Sequence, residues 1–560
     1  MKHKYLILGA ATIAATALTF FLACSGSSNK VSIPDPALVQ QSQNIWRFGV
    51  MGDTQWTVST DTARNPNTVA VEIIKQVNEQ FISKGVEFVI QVGDITDTAN
   101  NTSLQTTAKY RQPLYNAGIG FYPLRGNHES SAANAAEFIR VFPQTRTGVQ
   151  NNSPADVLSL STTAGDIPKT GTTFTVGSGF SSPNNYDGLS YSFSHKNATF
   201  VILDQFSPVT GTYAGLENVI GTQQSWINNV LNTRATSNLA FVFSHKGLIH
   251  EDHNDVLFGA NCTINPTDQN NFINSLSTNG VKYMHSGHDH MHSRSVYTNT
   301  TGTASVQQIT GASNSAKFYT PVTTARDAQN LAAFGRNRQT MLVQELYTVG
   351  YYIYTVDGNN VTVDYYSSIP VTAGADINTV PVLAFTKKET FGYNLKGKAF
   401  VVAQGGAYNV VQDGNASILS GTNGFSMVDG SSRLCSHEVT TGWTTRTTGL
   451  YTDVFTLWGM ANEFVGSEKT DTYCLSISYD TKDIEDGVAK SGRVGIATKG
   501  EKNWVNAVSK NIGSTATITF VDGPYDASKH TLGHWGVDVA NHRFWAVVNY
   551  NGDFAVAPSI

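Results

Sequence analysis

Between residues 45 and 370, short apolar runs alternate with stretches of helical spacing, and polar residues follow most of the runs. Trp46 to Met51 predicts a strand running into Gly52-Asp53. Val69, Ile73, Val77 and Phe81, spaced by four, predict a helix. Phe88 to Val92 predicts a second strand, ending in Gly93-Asp94. A helix around Leu104 to Tyr115 leads to a strand from Ile119 to Leu124, ending in Gly126-Asn127-His128. Strand, polar residue, helix, strand is the signature of an α/β fold. Ligands of such sheets gather beyond the carboxyl ends of the strands, where these polar residues sit.

Residues 144 to 188, rich in Ser, Thr, Gly, Asn and Pro, read as a long insertion, either a lid over the strand ends or a disordered loop. Order returns with Tyr191-Ser192-Phe193 and the run Phe200 to Leu203. A helix holding Trp226, Val230 and Leu231 precedes the strand Leu239 to Phe243, which ends in Ser244-His245. A helix near Phe272 to Leu276 precedes the strand Val281 to Met284, and Gly287-His288-Asp289-His290 follows. Val306 to Ile309 and the hairpin Tyr351 to Tyr366, turning at Asp357-Gly358-Asn359-Asn360, predict edge strands. From about residue 385 the texture becomes that of an all-β module, with runs such as Phe400-Val401-Val402 and Phe544 to Val548 between turn residues.

At 560 residues the chain is expected to hold two domains, 45–370 and 385–560. Charged residues make up 14% of it, against roughly 25% in ordinary soluble domains. With a net charge of -5 and no basic run after the N-terminus, no nucleic-acid-binding surface is evident. Lys2 and Lys4, the apolar run Tyr5 to Ala23, and small residues around Cys24 form an export signal, residues 1–24. It resembles a bacterial lipoprotein signal, which implies a lipid on Cys24 and a membrane anchor, although Phe21 stands where Leu is usual. Ordinary cleavage and an uncleaved membrane helix stay open. Residues 25–44 read as a polar tether. The expected location is the cell envelope, at the outer membrane or cell surface, or the periplasm or exterior. Of the four cysteines, Cys435 and Cys474 are the expected pair if a disulfide forms.

Five motifs end successive strands: Asp53-Thr54-Gln55, Gly93-Asp94-Ile95-Thr96-Asp97, Gly126-Asn127-His128-Glu129, Ser244-His245 and Gly287-His288-Asp289-His290. Each is weak alone, since Gly-Asp pairs mark turns and most histidines bind nothing. Together they bring carboxylates, an amide and imidazoles to one rim of a sheet, with glycines that allow close backbone approach.

This order resembles the calcineurin-like metallophosphoesterases over about residues 46 to 370. The family pattern is D-x-H, G-D-x-x-D, G-N-H-D/E, a lone H and G-H-x-H; Gln55 replaces the first His. The resemblance implies a β-sandwich flanked by helices, followed here by the mainly β region. It implies two divalent or transition metal ions, for which Mn, Fe and Zn all suit the donors. Asp94 would bridge the ions, Asp53 and His290 with Gln55 nearby would hold one, and Asn127, His245 and His288 the other. A metal-bound hydroxide would attack a phosphate ester, monoester or diester. His128 would be the general acid, oriented by Asp97. Arg125 and Arg294 flank two motifs and could meet phosphate or simply be solvated. His250, His253, His285 and His292 are bystander candidates, and Glu129 a supporting carboxylate. The rival reading is a cell-surface binding protein with a vestigial or structural metal site.

Overall fold

The computed structural model describes residues 45–161, 166–211, 220–249, 251–260, 263–368, 377–380, 382–424, 432–434, 436–460, 471–500 and 503–558. The export signal, the tether, Cys24, Cys262, Cys435 and His250 lie outside these residues. In chain order, β1 (Ile45–Met51), α1 (Val71–Lys84), β2 (Phe88–Val92), α2 (Asn101–Lys109), α3 (Gln112–Asn116) and β3 (Gly120–Leu124) come first. Next are α4 (Ala132–Val141), α5 (Gln144–Thr147), β4 (Val149–Gln150), α6 (Ala155–Leu158), β5 (Phe174–Thr175) and β6 (Ser178–Ser181). They are followed by β7 (Tyr191–His195), β8 (Ala198–Ile202), α7 (Ile220–Thr233), β9 (Leu239–Phe243), α8 (Pro266–Thr278) and β10 (Tyr283–Ser286). β11 (His292–Thr298), β12 (Ser305–Thr310), α9 (Thr323–Phe334), β13 (Gln339–Glu345), β14 (Val349–Asp357), β15 (Asn360–Ser368) and β16 (Thr386–Asn394) complete this part.

Two sheets face each other. One has the order β16-β15-β14-β1-β2-β3, and the other runs from a strand at Ser432–Leu434 through β13-β11-β12-β10-β9-β8-β7-β6. β1, β2 and β3 are parallel, as are β8, β9, β10 and β12. The space between the sheets is filled by aromatic residues from both. Phe48 stacks on Tyr354 at 4.5 Å and meets Phe241 edge-on at 5.1 Å. Each such contact adds about 0.5–1.5 kcal/mol beyond the area it buries. α1, α2 and α4 cover the outer face of the first sheet, α7 and α8 that of the second. This is the expected helix-flanked β-sandwich.

Five features depart from the sequence reading. The helix around Leu104–Tyr115 is two helices, because Pro113 cannot donate to a preceding turn and Arg111 is drawn inward to Gln91. β14 and β12 are interior strands, not edges: β14 pairs with β1 along six residues. The first sheet also reaches past residue 385, since β16 pairs with β15 through Asn394. Segment 144–188 packs on α2 and α3, with Gln112 bonded to Asn151 and Lys109 to the Leu158 carbonyl. Its described part is thus anchored beside the sandwich, which leaves no support for a lid.

Beyond β16, two six-stranded sheets enclose a second core that includes Phe455, Leu475, Trp535 and Phe554. This mainly β region rests on the first sheet, where Trp458 Nε1 donates to Thr362 Oγ1 at 3.0 Å. Cys474 is buried in it. Among the described residues no helix is long and apolar enough to cross a membrane.

Candidate metal centre

Backbone pairing carries the motifs together. β1 and β2 stay paired past their ends, with Asp53 N–H donating to the Gly93 carbonyl (3.0 Å) and Thr54 N–H to that of Asp94 (2.8 Å). Across the other sheet, Gly287 N–H donates to the His245 carbonyl at 2.8 Å. Two carboxylates join the sheets to their loops: Asp53 Oδ1 accepts from His288 N–H (3.0 Å) and Asp94 Oδ1 from His128 N–H (3.1 Å). Asp53, Asp94, His288 and His290 all have left-handed backbone (φ 52°, 44°, 78° and 50°). Such conformations cost about 1–3 kcal/mol each and cluster at functional sites. A Cβ on Gly126 would lie 1.9 Å from Asp94 Oδ1, and one on Gly287 2.6 Å from Asp53 Oδ2. Glycine is therefore required at both positions.

The result is two triads that share a carboxylate. Asp94, His245 and His288 offer ligand atoms all within 4.8 Å of one another, and so do Asp53, Asp94 and His290. Asn127 Oδ1 lies 3.0 Å from His245 Nε2. Gln55 Nε2 donates to Asp94 Oδ2 at 2.8 Å. Thus all seven residues singled out as ligands meet at one place. The donors fit cations. Asp53 Oδ2 and Gln55 Oε1 are buried without a hydrogen-bond partner among the described residues, and such orphans are costly unless something binds them.

The imidazoles are oriented as ligands require. His245 Nδ1 donates to the Val92 carbonyl (2.9 Å) and His290 Nδ1 to that of Lys317 (3.2 Å), which leaves both Nε2 lone pairs facing carboxylates. His288 is turned the other way, its Nε2 being 3.0 Å from Asp255 Oδ1. Burial, then the charge of Asp94, pushes the Asp53 carboxyl up to about 8. Burial also opposes charge on Asp94, but His245, His128 and His288 outweigh it and hold the group well below the usual carboxylate range. Burial disfavours a charged His245, which Asp94 overrides, raising it to about 9. Bound cations would replace these protons.

His128 sits beside the triads, partly exposed, with Nε2 3.9 Å from Asp94 Oδ2. The Asp97 contact differs from expectation. His128 Nδ1 bonds to the backbone carbonyl of Asp97, while the Asp97 carboxylate is 3.9 Å away and takes the Lys317 ammonium at 2.5 Å. A full positive charge outcompetes a ring N–H for that carboxylate.

The flanking residues resolve into supports. Arg125 is buried in a paired fork on Asp204 (2.7 and 3.1 Å), and Arg294 in an ion pair with Glu389, so neither faces a substrate. Glu129 is fully buried, accepting from the backbone N–H of Ile95, Thr96 and Gly126. His285 and His292 bond to Tyr354 and Tyr352 in the core. His253 lies against His288, ring centroids 4.2 Å apart, and bonds to Asp289. Sequence reasoning missed Asp255, Lys246 and Lys317. Lys246 pairs with Asp255, which holds His288, and Lys317 touches both His290 and Asp97. None lies in a motif; only the position of Lys246 next to His245 hinted at a role.

Residues 47–292 match the family described as calcineurin-like phosphoesterase. That segment is a calcineurin-like phosphoesterase domain. The phosphoesterase domain thus holds every candidate ligand and His128. No curated protein matches the chain. Solved structures similar to it at low identity include the following. GAP50, the anchor in the inner membrane complex of Plasmodium, is 13% identical, covering 61% of this chain and 91% of that one (TM-score 0.33). Purple acid phosphatase PPD1 from yellow lupin seeds is 14% identical, covering 62% and 55% (TM-score 0.34). A dimetal phosphatase from Danio rerio is 15% identical, covering 57% and 95% (TM-score 0.32).

Two supports can be tested directly. Gln55→His, which supplies the commoner ligand, is expected to keep activity and tighten metal retention, read by metal content during stepwise chelator dialysis. Faster loss than in the parent protein would mean that the space beside Asp94 fits only the amide. Lys317→Met keeps the backbone carbonyl that orients His290 but frees Asp97. It is expected to lower turnover about 10–100-fold with metal content unchanged. Unaltered turnover would show that the ammonium orients nothing of consequence.

Proposed function

We propose that this chain is an exported hydrolase of phosphoric esters that works with two metal ions at the Asp94 centre. The observation that supports this most is the sharing of one buried carboxylate, Asp94, by two triads of candidate ligands. Asp53 and His290, with Gln55 beside them, would hold one ion, and Asn127, His245 and His288 the other. When bound, the ion pair supplies an acidified water nucleophile and neutralises phosphoryl oxygens. The chain's own residues do the rest. Asp94 keeps the two sites together, and Asp255 fixes His288. His128, held at Nδ1 by the Asp97 carbonyl, presents Nε2 for donation of a proton to the leaving-group oxygen. Export and a lipid on Cys24 rest on the sequence of residues 1–24.

The test is hydrolysis of a panel of phosphate monoesters and diesters by the purified chain after loading with Mn²⁺, Fe or Zn²⁺. Turnover that a chelator abolishes and one of these metals restores is expected. Full metal loading without hydrolysis of any ester would favour the cell-surface binding reading instead.

A further inference from the structure

The mainly β region has concave surfaces that contain none of the candidate ligands. Trp443, half-buried in the strand Ser436–Thr444, lines two of them. On one side is a cavity of about 420 Å³ between the β14–β15 turn and the mainly β region, walled also by Trp504, Thr456 and Asn503. On the other is an open cavity of about 800 Å³ walled by Tyr451, Tyr479 and Asn415. Both volumes lie in the range of small-molecule sites, about 300–1,000 Å³. The indole packs on Phe455 (centroids 4.9 Å), and a Cβ on Gly414 would lie 3.4 Å from its edge.

The charges limit what fits. In the smaller cavity Lys499 is paired with Asp553 at 2.7 Å, and Lys396 and Asp357 add one charge of each sign. In the larger one Arg446 is paired with Asp483 at 2.8 Å, and Asp453 and Asp480 remain as further carboxylates. Neither surface carries the net positive charge that a phosphate, nucleotide or acidic polymer requires. What both offer are flat aromatic surfaces and planar hydrogen-bonding groups. The buried Tyr451 hydroxyl has no hydrogen-bond partner among the described residues. An apolar ligand would leave these polar groups without partners at a cost of about 1–3 kcal/mol each.

We propose that the concavities on the two sides of Trp443 bind a neutral oligosaccharide. A pyranose ring has an apolar C–H face that stacks on an indole, and hydroxyls around its edge that pair with carboxylates, amides and hydroxyls. A linear chain of sugars would pass over Trp443 with units in both cavities. This site is independent of the reading of the metal centre.

The test uses the full chain and soluble linear oligomers of glucose, mannose, xylose and N-acetylglucosamine, followed by tryptophan fluorescence and titration calorimetry. At least one series is expected to bind, with longer oligomers binding more tightly. Trp443→Ala should weaken binding at least about tenfold and leave phosphate-ester hydrolysis unchanged. Thr445→Arg, at an exposed position on the smaller cavity, should also weaken binding; it serves if the Trp443 variant does not fold. No binding by any series, or binding that both folded variants retain, would overturn the proposal.

Discussion

Asp94→Asn is expected to lose both metal ions and essentially all hydrolysis while the protein stays folded. The substitution keeps shape, so the amide oxygen can still accept from the His128 N–H, and the close approach of Gly126 is undisturbed. What it removes is the one negative charge common to both triads. Its Nδ2 would moreover take the place of Oδ2, which accepts from Gln55 Nε2, and set one N–H donor against another. Electrostatic stabilisation is usually the largest single contribution in such sites, and one preorganised donor alone is worth about 10²–10³. A fall in turnover beyond about 10³-fold is therefore expected. Gln55→Ala should cost far less, because that amide, bonded through Nε2 to Asp94, could touch only one of the two ions. Turnover rates and metal content of both variants decide the ranking. Equal losses would mean that Asp94 is not the shared ligand.

His128→Ala should leave metal content near normal and slow alkyl phosphate esters by about 10²–10⁴-fold. The ring is tied at Nδ1 to the Asp97 carbonyl and touches the ligand set only through its backbone N–H and a 3.9 Å approach to Asp94. Its partly exposed Nε2 is thus the end available to a leaving group. Aryl esters with acidic leaving groups need little protonation, so their rates should fall least. Rate loss measured across leaving groups of graded pKa checks the role. A loss that is the same for all of them would restrict His128 to binding or electrostatics.

The ligand set was legible because its motifs follow apolar runs, and Asp53, Asp94, Asn127 and His288 each come directly after a glycine, so local pattern and chemistry agree. Asp53, Asp94 and Asn127 follow β1, β2 and β3, and His245 and His288 follow β9 and β10. The supports were not legible. Asp255 reaches His288 across 33 residues, and Lys317 reaches Asp97 across 220, from loops whose spacing carries no periodic signal. The partner of the Asp97 carboxylate was hidden for the same reason, since Lys317 lies in a remote loop. Sheet order was equally hidden. β14 reads locally as one arm of a hairpin, and only its pairing with β1 makes it interior. Arg125 read as a surface or phosphate-binding group, because nothing local announces Asp204.

The most direct test of the account is elemental analysis of the gently purified, Mn²⁺-supplemented protein beside its Asp94→Asn variant. The account predicts about two equivalents of transition metal in the first and loss of both from the second. Less than one equivalent in the unsubstituted chain under every loading condition, or two equivalents retained by the variant, would contradict it.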